Sequence, residues 1–197
     1  MTTRSFRTLT ARRMVLFGLI IALVLISGCV HMIIMETKPR LALQPNKALL
    51  VIVRPNVLYT GLVDNYLDGK MIGQTQGKSY FVTDVTPGTH YVMAHADSWA
   101  TARMTFEANK VYFMNQLTSA KLGFPFVWTA FSVLTIQDAM QQINEAGCLY
   151  LVYDQKNPGK DIQPSKFEEM KADFEQEVKE NSDRHSDTLG YKGYTIY

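Results

Sequence analysis

Cysteine is nearly absent from this 197-residue chain, with only Cys29 and Cys148 present. That scarcity excludes a disulfide-built scaffold, so the fold holds itself together by its apolar core, which 47% hydrophobic residues make feasible. Histidine is scarce too: the four are His31, His90, His95 and His185. His90 and His95 lie five apart in a strand pattern and point to opposite faces, which argues against a shared metal. The chain lacks a Gly-rich phosphate loop, a Gly-x-Ser-x-Gly elbow and a metalloprotease helix motif. No catalytic residue, metal site or cofactor is therefore expected. Acids such as Asp64 and Asp68 sit beside a turn signal, where bonding to backbone is their ordinary work.

A long apolar run is also missing. Val15 to Ile26, broken only by Gly18, falls short of the roughly 20 residues a membrane helix needs. Before it stand Arg4, Arg7, Arg12 and Arg13 with no acid, the positive flank of an export signal. After it comes Ile26-Ser27-Gly28-Cys29, which resembles the bacterial lipobox. Small residues admit a peptidase between Gly28 and Cys29, and only a thiolate is nucleophilic enough to take a diacylglycerol as a thioether. Residues 1–28 are thus expected to be a lipoprotein signal peptide, and Cys29 the lipidated first residue of the mature chain. The competing reading is an uncleaved anchor with an incidental cysteine.

Export changes the charge. Residues 1–28 hold four of the 20 basic residues and none of the 18 acids, so the mature chain is near −2 instead of +2. Nucleic acid is not an expected partner. The expected partners are the membrane, through the lipid, and an envelope protein or glycan. Val30 stands where aspartate would mark retention in the inner membrane of a Gram-negative cell, so the outer membrane, periplasmic face, is the expected address. With Cys29 acylated, Cys148 has no intramolecular partner, and a buried, inert thiol is its expected state.

Residues 29–46 mix Pro39, Pro45 and charges without period and read as a lipidated tether. Folded structure is expected over 47–155, starting at the apolar run Ala48 to Val53, which suits a strand buried on both faces. Asp68-Gly69 and Pro87-Gly88 are turn signals between strand patterns. Further strand patterns cover 79–85, 89–96, 102–106 and 111–117. Thr135 to Asp138 reads as a helix start, with a helical insertion near 136–146 stopped by Gly147, and Leu149 to Tyr153 as a closing strand. Within 156–197, Phe167, Met170, Phe174 and Val178 share one face of an amphipathic helix, followed by a polar tail from Asn181. The expected class is mainly β, α+β overall: an antiparallel β-sandwich-like domain with one or two C-terminal helices.

Lys47 to Pro55, Leu67 to Gly73, Val85 to His90 and Asn109 to Phe113 resemble an uncharacterised bacterial domain of envelope lipoproteins. It is similar to the PEGA-type β-sandwich, whose naming motif appears here only as Thr86-Pro87-Gly88-Thr89. The resemblance covers roughly residues 47–120. It implies a fold and an envelope address, and no catalytic residues. Outside it lies Leu122 to Phe131, which carries Phe124, Phe126, Trp128 and Phe131. These aromatics either plug the core or form an interaction patch for a membrane or partner. The function expected is a non-enzymatic binding or structural module, the alternative a hydrolase assembled from scattered residues.

Overall fold

The computed structural model describes residues 30–38, 40–55, 61–120 and 126–195. The expected signal peptide with Gly28, and likewise Cys29 and Phe124, lie outside the described residues. Strands β1 (Met32–Met35), β2 (Ala48–Arg54), β3 (Leu62–Leu67), β4 (Lys70–Gln76), β5 (Ser79–Val85), β6 (Gly88–His95), β7 (Trp99–Phe106), β8 (Val111–Ala120), β9 (Val127–Val133) and β10 (Leu149–Tyr153) are joined by helices α1 (Ile136–Asn144), α2 (Pro164–Glu180) and α3 (Ser182–Leu189).

The strands form a β-sandwich of two sheets, in the orders β1-β10-β5-β2-β8-β9 and β4-β3-β6-β7. β2 is buried along its whole length, and the alternation of a strand explains how. Leu50 and Ile52 join Phe81, Val92, Ala102 and Met104 between the sheets. Leu49, Val51 and Val53 face the other way, where Ala139 and Ile143 of α1 cover them. Burying each such side chain stabilises the fold by about 1.5–3 kcal/mol. On the far side of the smaller sheet, Met170 of α2 packs on Tyr66 and Met93, and Phe174 meets Tyr91 edge-on at 6.2 Å.

The hairpin β3–β4 turns at Asp68-Gly69, both with positive φ, 49° and 79°, as a two-residue turn requires. Asp68 then accepts hydrogen bonds from Tyr91 N–H at 2.9 Å and from His90 Nδ1 at 2.5 Å. Thr135 caps α1, its hydroxyl accepting from Asp138 N–H at 3.1 Å.

The structure corrects several expectations. Residues 29–46 are not all tether: β1 lies inside that span and pairs with β10, Met32 opposite Tyr153, while Leu41 and Leu43 pack beneath α1. Met32 is the one buried side chain of β1 and joins Phe81 in the inter-sheet core. Pairing is antiparallel except for β2 with β8 and β5 with β10, which are parallel. The turn from Glu107 to Lys110 carries the chain from one sheet to the other. The stretch after Asn181 is not a frayed tail. It forms α3, after which Tyr194 exchanges backbone hydrogen bonds with Val111 at 2.8 and 2.7 Å.

Candidate functional site

β7 and β9 are the edge strands on the same side of the two sheets. The turn between β6 and β7 ties them together: Asp97 Oδ2 accepts from Val127 N–H at 2.9 Å, and Ser98 Oγ accepts from Thr129 N–H at 3.1 Å. Helices α2 and α3 border this junction at an open cleft of about 550 Å³, walled by Trp99, Thr129, Phe131, Phe174, Arg184 and His185.

The chemistry of the cleft is mixed. Trp99 is 37% exposed and is held in place by stacking on His95, ring centroids 4.2 Å apart, and by Tyr66 at 5.6 Å. Tyr66 donates to Asp64 Oδ2 at 3.4 Å; burial first, then the Asp64 charge, push its phenol well above the ordinary value. His185 packs edge-on against Phe174 at 4.9 Å and lies 3.4 Å from Glu177 Oε1. Thr129 is only 7% exposed, and among the described residues its Oγ1 has no hydrogen-bond partner. A buried hydroxyl left this way costs about 1–3 kcal/mol.

The helix above the smaller sheet is fixed by a charged cluster next to this cleft. Glu175 accepts from Tyr91 Oη at 2.6 Å and pairs with Arg103. Burial raises the Glu175 carboxyl, but the Tyr91 hydroxyl and the Arg103 charge together outweigh it and hold it below the usual range.

The aromatic segment is split by the two-residue period of β9. Phe126 and Trp128 point outward, 54% and 48% exposed, on the face that carries Leu117 of β8. Phe131 points the other way, half-buried against the inter-sheet core and on the cleft wall. The four residues are therefore not one patch, and neither Phe126 nor Trp128 plugs the core. His90 bonds Asp68 on the smaller sheet and His95 lies behind Trp99, so the two do not meet. Among the described residues, no group of three His, Cys, Asp or Glu side chains is placed to hold a metal. Cys148 is free and buried, and burial pushes its thiol up, away from thiolate.

Sequence reading missed Trp99, Thr129 and His185 as neighbours, because each comes from a different element. The one available signal was Trp99 itself, a large aromatic beside the Asp97-Ser98 turn. No family model, no curated protein and no solved structure matches this chain.

Proposed function

We propose that this chain is a membrane-anchored lipoprotein, acylated on Cys29, whose exported domain is a non-enzymatic binding module of the cell envelope. The cleft between β7, β9 and the C-terminal helices is the site at which it holds a ligand. One observation carries this: the Thr129 hydroxyl is buried without a partner on the wall of a cleft beside a half-open tryptophan. A ligand that brings a polar atom to Thr129 and an apolar face to Trp99 recovers the unmet hydrogen bond and buries the ring together. A sugar ring has that character, apolar C–H faces edged by hydroxyls, so a short envelope glycan is the occupant we favour over a protein segment. The address follows the lipobox and Val30: the outer membrane, periplasmic face, in a Gram-negative source.

Binding of soluble peptidoglycan fragments to the mature protein, read by ligand-detected NMR, tests this. Trp99→Ala is expected to weaken binding about tenfold or more, equal to some 1.4 kcal/mol. Thr129→Val is expected to weaken it while leaving the fold as stable or more so, because valine suits a strand and carries no unmet hydroxyl. Binding that neither variant changes would overturn the assignment of the cleft.

A further inference from the structure

We propose that the β1 edge of the larger sheet lies against the bilayer that holds the lipid anchor, so that the domain is seated on the membrane surface in a fixed orientation. The proposal rests on the reading of Cys29 as lipidated.

Chain length is the first argument. Between Cys29 and the first residue of β1, Met32, there are three peptide links. A fully extended chain spans at most about 3.6 Å per residue, so Met32 is within roughly 11 Å of the acylated cysteine. A leaflet's headgroup layer is about 5–7 Å thick. With the diacylglycerol in the hydrocarbon, even a fully extended link leaves the start of β1 within a few ångströms of the headgroups.

What β1 presents there is apolar. Ile33, Ile34 and Met35 are 48%, 59% and 43% exposed, and β1 is the outermost strand of its sheet. Such an edge is a liability in water, where proteins normally place charge or proline. At the headgroup boundary the same side chains gain by burial, as those of surface-lying amphipathic elements do.

Charge supplies the second argument. The turn after β10 docks on the residue just before β1: Asp154 N–H donates to His31 O at 2.8 Å, and His31 Nδ1 lies 2.8 Å from Asn157 O. That turn and its continuation bring exposed Lys156 and Lys160 to the same end. The acids beside them are engaged with backbone, Asp154 with Lys156 N–H and Asp161 with Met71 N–H. Two lysines reaching out beside an apolar strip suit an anionic bilayer surface.

Site-directed nitroxide labelling of the full lipidated protein tests this, in vesicles of phosphatidylethanolamine with a minority of phosphatidylglycerol. Ile34→Cys and, for reference, Leu117→Cys on the distant β8 carry the label, with Cys148→Ala in both. At position 34, collisions with oxygen are expected to exceed those with a water-soluble nickel chelate several-fold, and at position 117 the order is expected to reverse. A position 34 as open to the chelate as position 117 would overturn the proposal. So would spectral broadening at position 34 that vanishes on dilution with unlabelled protein, since a second copy would then cover the edge. Intact mass separates the two readings. An adduct on Cys29 with an aqueous position 34 removes only the seating, whereas no adduct removes the anchor as well.

Discussion

Gln116 and Asn65 face each other across the interior of the sandwich, Gln116 Nε2 donating to Asn65 Oδ1 at 2.7 Å. One residue belongs to β8 of the larger sheet and the other to β3 of the smaller. Gln116 Oε1 also accepts from the Thr75 hydroxyl, and Asn65 Nδ2 donates to Val63 O at 3.1 Å. All three side chains are fully buried. A network of this kind ties the sheets in one register only while every member is satisfied.

Gln116→Leu strands Asn65 Oδ1 and the Thr75 hydroxyl in the core. Each unmet group costs about 1–3 kcal/mol, so a loss of about 2–6 kcal/mol is expected from urea denaturation. Adding Asn65→Leu is expected to recover part of it, because an apolar pair replaces a half-satisfied one. A single variant as stable as the parent would show that the network contributes nothing.

Glu175 gives a pH dependence with a definite sign. Its carboxyl is held below the ordinary 4.5, so the folded state binds a proton less readily than the unfolded chain. The contribution is present above that value and is lost as pH falls through the lower folded one. Glu175→Gln is expected to lower the urea midpoint near neutrality, where the contribution is present, and to flatten the acid limb below pH 4.5 so that variant and parent converge at low pH. An acid limb unchanged in the variant would refute the assignment.

The elements legible in the sequence were those whose cause is local. Ala48 to Val53 announced a doubly buried strand by its unbroken apolar run, Asp68-Gly69 its turn, and Thr135 with Asp138 its helix cap. The Phe167, Met170, Phe174 spacing likewise marked the buried face of α2. What was not legible depends on distant partners. Met32 to Met35 is an apolar run too short to announce a strand by itself, and it becomes one by pairing with Tyr150 to Tyr153. The tail was read as polar because Tyr191 and Tyr194 dock through hydroxyls and backbone, without an apolar period. The cleft draws Trp99, Thr129 and His185 from three elements, and no spacing rule joins them.

Trp128 separates exposure from core packing. Because the ring is 48% exposed, Trp128→Ser is expected to cost at most about 1 kcal/mol, mainly from strand propensity, where a core tryptophan would cost about 3–5. Thermal unfolding decides it. A loss in the core range would mean that the ring is covered in solution.

Cys29→Ser addresses the anchor. Incorporation of labelled fatty acid is expected to disappear, and the protein to leave the lipid-modified pool and accumulate with an uncleaved signal. Fractionation of the parent is expected to place it with the outer membrane of a Gram-negative host. Labelling that persists in the serine variant would exclude Cys29 as the acylated residue.

Gly193 tests whether the C-terminal tail is part of the fold. It sits at φ 63°, where a side chain costs about 1–2 kcal/mol, and a Cβ added there would come 2.7 Å from Tyr112 Cζ. Tyr112 cannot retreat: it is fully buried, and its hydroxyl accepts from Glu107 N–H at 2.8 Å. Gly77 is the matching control, with φ 55° and nothing within 4 Å of an added Cβ. Gly77→Ala therefore carries the backbone cost alone, and Gly193→Ala carries it together with the clash. If the tail is integral, Gly193→Ala lowers the unfolding midpoint clearly further than Gly77→Ala. It also speeds tryptic cleavage at exposed Lys192, because the strain is relieved by lifting Tyr194 from Val111 and Tyr191 from its bond to Phe113 N–H at 3.1 Å. Equal midpoints for the two variants would show that the tail packs too loosely against Tyr112 to belong to the core.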